Sequence, residues 1–353
     1  MENIKMSDVA KLAGVSKSTV SQYLNKRYSY MGEDTKKRIH DAIQELNYVP
    51  NEIARSLTKK RSNVVGIIFS NIASQFTIQL VQAIEHELQK RKIQIMLCNT
   101  DNDQKRELQH LEALTAHQVD GMIIFPNREN IEYYQKLYDK NFPLVFVDRM
   151  IPELAIPSII LDNEKATWLA TEELIRNGHQ KIALITFPYK SREQSNRLGR
   201  VKGYLKTIKE HQLRLGNSLL YEIRDSEIES TLEEILLQKK EATGLVLTND
   251  TLLERTLLFC KKHGLHIPED ISIIAIDDTT FSRFTTPTIT TVSQPVAEIG
   301  IKSTEVLLEL LDEKTDMSLI KENLIVEFPP NLIVRESVNN INNKKLIKEV
   351  KND

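Results

Sequence analysis

Lys17, Ser18, Ser21 and Gln22 stand together on the outer side of a short helical pattern, KSTVSQYL, whose other side carries Val20 and Leu24 at i, i+4 spacing. An ammonium, two hydroxyls and a carboxamide donate and accept hydrogen bonds in set directions, which is the chemistry of polar recognition rather than of bond breaking. Just upstream, Val9, Ala10 and Ala13 share one face of another short helix. Gly14 supplies the turn between the two, Val15 packs beneath it, and Ser16 is placed to cap the second helix through its hydroxyl. Two short helices crossing at a tight turn, the second one polar, read as a helix-turn-helix. An ordinary helical hairpin is the competing reading, and the stretch by itself leaves both open.

Composition narrows the classes. A chain of 353 residues exceeds one ordinary core, so two or three domains are expected. Hydrophobic residues are 41% and charged residues 27%, as in a soluble globular protein. The net charge of −2 hides an asymmetry: residues 1–61 hold 12 Lys/Arg against 7 Asp/Glu, and the rest of the chain is acidic. A basic head on an acidic body suits a nucleic-acid partner for the head alone. Cys98 and Cys260 sit in apolar settings and read as buried free thiols, so neither disulfide nor metal site is expected. No run reaches membrane-span length and Met1–Lys11 has no apolar signal region, which makes a cytoplasmic protein the expectation. There is no P-loop, no G-x-S-x-G and no H-E-x-x-H, so no enzyme activity and no cofactor are expected.

In chain order, a third helix follows with Ile39, Ala42, Ile43 and Leu46 as its apolar face, and Pro50 ends the unit. PNEIARSLTKKR (residues 50–61) can form a short helix with Ile53, Ala54 and Leu57 on one side, marginal unless a partner supports it. The body then alternates apolar β-branched runs with helical patterns. Strands are read at Val64–Phe69, Ile93–Cys98, Gly121–Phe125 and Pro143–Asp148, then at Lys181–Thr186, near Leu219–Ile223, at Gly244–Asn249 and at Ile271–Asp277. Helices are read between them, among them Ala166–Asn177, Gly199–Glu210 and Ile228–Lys239. This is the pattern of two α/β subdomains with parallel sheets, which take ligands at the carboxyl ends of their strands.

Together DVAKLAGVSKSTVSQYLN, TKKRIHDAIQELNYVPNEIARSL, VVGIIF, VDGMIIFP, FVDR, GHQKIALI, LTND, IPEDISIIAIDD and PTITTVSQP resemble, in family order over residues 6–335, the lactose/galactose-repressor (LacI/GalR) family of bacterial transcription regulators. The resemblance implies an all-α helix-turn-helix head plus an α/β body of two doubly wound parallel-sheet subdomains of periplasmic-binding-protein type. It implies a DNA-binding domain at 1–49, a hinge at 50–61 and an effector-binding and dimerisation domain at 62–335. That domain divides into an N-subdomain of about 62–161 plus 294–324 and a C-subdomain of about 162–293 plus 325–335, with a flexible tail at 336–353. The implied function is a repressor of carbohydrate catabolic genes. It would bind a palindromic operator as a homodimer and answer to a sugar, sugar acid or sugar phosphate in the cleft.

The resemblance also implies site residues. Ser16, Lys17, Ser18, Ser21 and Gln22 face DNA, with Lys17 meeting either guanine or phosphate and Gln22 able to pair with adenine. The family commonly has Arg at the Gln22 position. Asn25, Arg27 and Tyr28 are expected at the DNA backbone, and Asn51, Ala54 and Leu57 at the hinge, with Leu57 wedged into the minor groove. Tyr28 and Tyr30 either touch phosphate or only pack. Effector candidates at strand ends are Ser74, Gln75, Phe76, Asp148, Arg149, Arg192, Arg200, Asn249, Asp250, Asp277 and Gln294, with Arg200 beginning a helix in R-x-x-G-Y. Lys190, Arg192, Arg197, Arg200 and Arg149 would suit an anionic effector if they all faced the cleft; Lys190 and Arg197 read more readily as solvated. Phe76 could stack on a sugar, whereas Trp168 reads as core; Asp278 and His179 read as structural. A sugar-binding receptor without DNA function is the rival reading. Residues 339–353 do not sustain a leucine heptad, which favours a dimer over a tetramer.

Overall fold

The computed structural model describes residues 4–29, 31–49, 61–189, 194–213, 219–312 and 325–341. Two compact units result, Met1–Ser62 and Asn63–Asp353.

The first unit holds α1 (Met6–Ala13), α2 (Lys17–Leu24) and α3 (Glu33–Glu45). Gly14 ends α1 at φ +64°, the left-handed conformation that a side chain resists. Ser16 Oγ caps α2 by accepting from the Thr19 amide at 3.1 Å. Val9, Ala10, Ala13, Val20, Ile39, Ala42 and Tyr48 form a core of the unit's own, with Val15 and Leu24 packed against it. Replacing Ser16 by Ala is expected to lower the head's stability by about 1 kcal/mol, seen as an earlier loss of helical circular dichroism on heating.

The second unit holds two six-stranded sheets. Strands β1 (Val64–Phe69), β2 (Gln94–Asn99), β3 (Gly121–Ile124), β4 (Leu144–Val147) and β5 (Ser158–Leu161) alternate with α4 (Gln75–Lys90), α5 (Gln104–Ala116) and α6 (Ile131–Asp139). Then come α7 (Asn163–Arg176), β6 (Ile182–Thr186), α8 (Ser195–Glu210), β7 (Leu220–Glu222), α9 (Ile228–Glu233), β8 (Gly244–Leu247), α10 (Asp250–His263), β9 (Ser272–Ile276) and β10 (Thr290–Ser293). Helix α11 (Val296–Leu311) and strands β11 (Ile325–Phe328) and β12 (Asn331–Ile333) complete it. The sheet orders are β11-β5-β4-β3-β1-β2 and β12-β10-β9-β8-β6-β7, the same winding used twice. All registers are parallel except β10 with β12. The central strands are buried on both faces, as their continuous apolar runs require.

Several expectations need correction. Strand β11 pairs with β5 in the first sheet, so the last crossing between lobes lies between Phe328 and Asn331, not ahead of residue 325. Helix α8 begins at Ser195, which puts Arg200 inside it rather than at its start. Residues 336–341 are no loose tail: Ser337 is buried, and its Oγ donates to the Ile273 carbonyl at 2.6 Å and accepts from the Thr290 amide. The Ile341 amide then reaches the Asn177 carbonyl. Trp168 is half-buried on the outside of α7 with the Lys165 ammonium 3.5 Å above its ring, neither core nor cleft.

Candidate functional sites

On the head, capping by Ser16 sets the start of α2, and the buried Val20 fixes which side faces in. Lys17, Ser18 and Gln22 are therefore exposed, while Ser21 is half-buried. The Ser16 hydroxyl also bonds Ser18 Oγ at 2.6 Å and Thr19 Oγ1 at 2.8 Å, which ties the three side chains of the first turn together. Asn25 donates from Nδ2 to the Ser21 carbonyl, so its side chain is committed to closing the helix. The Tyr28 ring packs edge-on to Tyr23 with Lys36 over its face, and the residue is exposed. Asn51, Ala54 and Leu57 lie outside the described residues, as do Tyr30, Lys190 and Arg192.

In the second unit the carboxyl ends of both sheets open on one cavity of about 1210 Å³. Ser74, Phe76, Asp148, Arg149, Arg200, Asn249, Asp277 and Gln294 all line it. The backbone that presents two of the carboxylates is unusual: Asp148 has φ +66° and Asp277 φ +83°, each directly after a strand. Non-glycine residues held at such angles cost free energy and concentrate at functional positions.

Many of these groups engage each other. Gln294 Nε2 donates to Asp277 Oδ1 at 2.6 Å. Arg200 donates from Nε to Asn163 Oδ1 at 2.8 Å and from Nη1 to the Thr248 carbonyl. Asn249 Oδ1 accepts from the Leu252 amide, which makes it the cap of α10 as well as a cavity wall. Arg149 is buried; its Nη2 donates to Asn102 Oδ1 at 2.7 Å, while Nε and Nη1 make no hydrogen bond. Its Nε lies 3.5 Å from Asp148 Oδ2. Burial pulls the Arg149 guanidinium down, opposed by the Asp148 and Glu107 carboxylates. Donors buried without acceptors are costly, which marks Arg149 as a place where a ligand oxygen would be welcome.

The two lobes are joined across the cavity mouth. Asp250 Oδ2 accepts from Ser74 Oγ at 2.8 Å and from the Gln75 amide at 2.9 Å, so a carboxylate from one lobe caps α4 of the other. The Thr280 amide donates to Gln75 Oε1. On the other side the Met150 amide donates to Ser195 Oγ at 2.9 Å and Asn196 Nδ2 to Asp148 Oδ2 at 2.8 Å. Asp250 and Gln75 are among the strand-end candidates and do line the cavity, whereas Ser195, Asn196 and Thr280 carry no local signal. Phe187 and Phe281, partly exposed rings on the wall, were also missed. Phe187 could have been found by the strand-end rule, since it directly follows β6. Phe76 packs edge-on to Phe125 and is nearly buried, a poorer stacking surface than either. Outside the cavity, Asp278 accepts from Arg283, Arg335 and Thr291, and His179 donates from Nε2 to the Asn339 carbonyl and shares a hydrogen bond between Nδ1 and Thr243 Oγ1, both holding structure.

Burial and the neighbouring Asp250 charge push the Asp277 carboxyl up to about 7, against the attraction of Arg200. The folded chain then holds a proton that the unfolded chain has released, so this contribution to stability is present in the ordinary carboxylate range and is lost as pH rises through about 7. The ligand-free chain should melt higher at pH 6 than at pH 8, and Asp277→Asn should flatten that part of the profile.

Comparison with known proteins finds similarity in both units. Residues 5–51 match the family described as bacterial regulatory proteins, lacI family, and residues 171–338 a periplasmic binding protein-like domain. The probable HTH-type transcriptional regulator EndR of Paenibacillus polymyxa is 43% identical over 338 residues, covering 96% of this chain and 99% of its own. The HTH-type transcriptional repressor PurR of Actinobacillus pleuropneumoniae serotype 3 (strain JL03) is 33% identical, covering 96% and 99%. Among solved structures, the lac repressor dimer bound to operator and the anti-inducer ONPF superposes with a TM-score of 0.79 at 26% identity, covering 96% of this chain and 100% of that one. Among the described residues no helix is long and apolar enough to cross a membrane.

Proposed function

The chain belongs to the lacI family of bacterial regulatory proteins and is a DNA-binding transcriptional regulator, and on that premise we propose that it is a cytoplasmic repressor of carbohydrate catabolic genes, binding a palindromic operator as a homodimer and controlled by a sugar-type effector between its lobes. The observation that carries this reading is the coexistence in one chain of an exposed polar helix face, Lys17, Ser18 and Gln22, with a cavity lined by the strand ends of two sheets. Lys17 can donate to guanine O6/N7 and Gln22 can pair with adenine N6/N7, so the two set the half-site preference. Asp148, Asp277, Asn249 and Arg149 offer acceptors and donors of fixed direction, as sugar hydroxyls need.

The test is fluorescence anisotropy of the full chain on the palindrome nearest its own gene, with and without sugars. Sequence-specific binding that a sugar shifts supports the reading; binding that no sugar, sugar acid or sugar phosphate shifts overturns the effector part. At the hinge, Leu57→Ala is expected to lower operator affinity by about 10- to 100-fold, the scale of a lost minor-groove wedge, and nonspecific affinity far less. Equal losses on both DNAs would refute the wedge.

A further inference from the structure

We propose that the cavity takes a neutral oligosaccharide of two or more sugar rings rather than a monosaccharide, a sugar acid or a sugar phosphate; this rests on the sugar-effector reading above.

Length comes first. At about 1210 Å³ the cavity exceeds the roughly 300–1,000 Å³ of common ligand pockets, and it does so with the lobes already bonded to each other on two sides. Its wall follows the second sheet from Gln294 after β10, through Asp277 after β9, Thr248 after β8 and Phe187 after β6, to Glu222 and Arg224 at β7. Those five strands are four spacings apart, or about 19 Å at roughly 4.8 Å each. A single sugar ring leaves most of that run empty. Phe281 and Phe187 stand on the wall beyond β9 and β6, strands two spacings or about 10 Å apart, and the Arg197 guanidinium lies over one face of the Phe187 ring, 5.5 Å from its centroid, which leaves that ring at most one face for a sugar; the two phenyl rings so placed suit two different sugar rings of one ligand.

Charge decides the class. Five arginines line the cavity, Arg149, Arg197, Arg200, Arg224 and Arg255, against eight carboxylates. The signs are interleaved: Asp148 lies beside Arg149, Arg200 beside Asp277, and Glu254 precedes Arg255. A phosphate or carboxylate drawn to Arg149 would meet Asp148 as well. Hydroxyls, which both donate and accept, match alternating partners without a charge clash. The anionic effector suggested by the basic residues near Arg200 is therefore disfavoured among the described residues.

Isothermal titration of the full chain with glucose, with α- and β-1,4-linked gluco-oligosaccharides of two to four units, with glucuronate and with glucose 6-phosphate tests this. One oligosaccharide series should bind about tenfold or more tighter than glucose, and Phe187→Ala should remove most of that gain. Glucose binding as tightly as the oligosaccharides, or tight binding of only the acid or the phosphate, overturns the proposal while leaving the sugar-effector reading standing. If no member of the panel binds, the proposal falls, and the sugar-effector reading is decided by the operator titration with sugars described above.

Discussion

Gly203→Ala is expected to disable the effector lobe. Gly203 faces α7 from the middle of α8, and a Cβ there would lie 2.1 Å from the Glu164 carbonyl oxygen and 2.4 Å from Thr167 Oγ1. The nearest atom is backbone, which cannot swing aside. Gly199, one turn earlier on the same face, is within 2.9 Å of the Asn163 Cβ by the same construction. The two glycines let the helices touch backbone to side chain, and that contact aims Arg200: Thr167 Oγ1 donates to the Arg200 carbonyl at 2.6 Å, and Asn163 Oδ1 receives its Nε. Forcing α8 outward costs about 3 kcal/mol or more and moves the guanidinium from the cavity. A fall of about 6 °C or more in the melting midpoint is expected, together with loss of effector binding. An unchanged midpoint would show that the helices separate without cost.

Arg200→Lys carries the second large effect. The guanidinium bonds Asn163 and the Thr248 carbonyl at once and still reaches the cavity, where its charge favours the ionised Asp277 against burial and the Asp250 carboxylate. An ammonium cannot make that fork, so one buried acceptor is left unpaired. Effector affinity should fall about 10- to 100-fold, the equivalent of roughly 1.5–3 kcal/mol for one charged hydrogen bond. Operator binding without effector should change little, because the head packs its own core of Val9, Val20 and Ile39. Titration of effector and operator separately tells the two apart; equal losses on both would mean that the substitution unfolds the chain.

What could be read in the sequence followed the range of the forces involved. The α1–α2 pair is local: Gly14, Ser16 and the spacing of Val9, Ala13, Val20 and Leu24 determine it within eighteen residues. The central strands announce themselves because both faces are buried, as in VVGIIF and SIIAI. Strand β5 (SIIL) carries the same signal, buried at every position, and was missed, whereas β10, β11 and β12 do not carry it. TTVS is largely polar, IVEF and NLI are half-exposed at sheet edges, and only pairing with distant strands makes them strands. The cavity residues were legible through topology, since a parallel sheet collects its ligands at strand ends. The bonds that bridge the lobes, Ser195 to Met150 and Asn196 to Asp148, join residues more than forty positions apart and have no sequence periodicity to betray them.

The head and the cavity matter together only if they are coupled. Coupling of this kind is typically about 1–3 kcal/mol and is reciprocal by thermodynamic linkage. The direct measurement is operator affinity of the full chain at zero and at saturating oligosaccharide, paired with oligosaccharide affinity at zero and at saturating operator. Both ratios should equal the same factor, about 5- to 150-fold. An operator affinity that is identical with the cavity empty and with the cavity occupied would contradict the account.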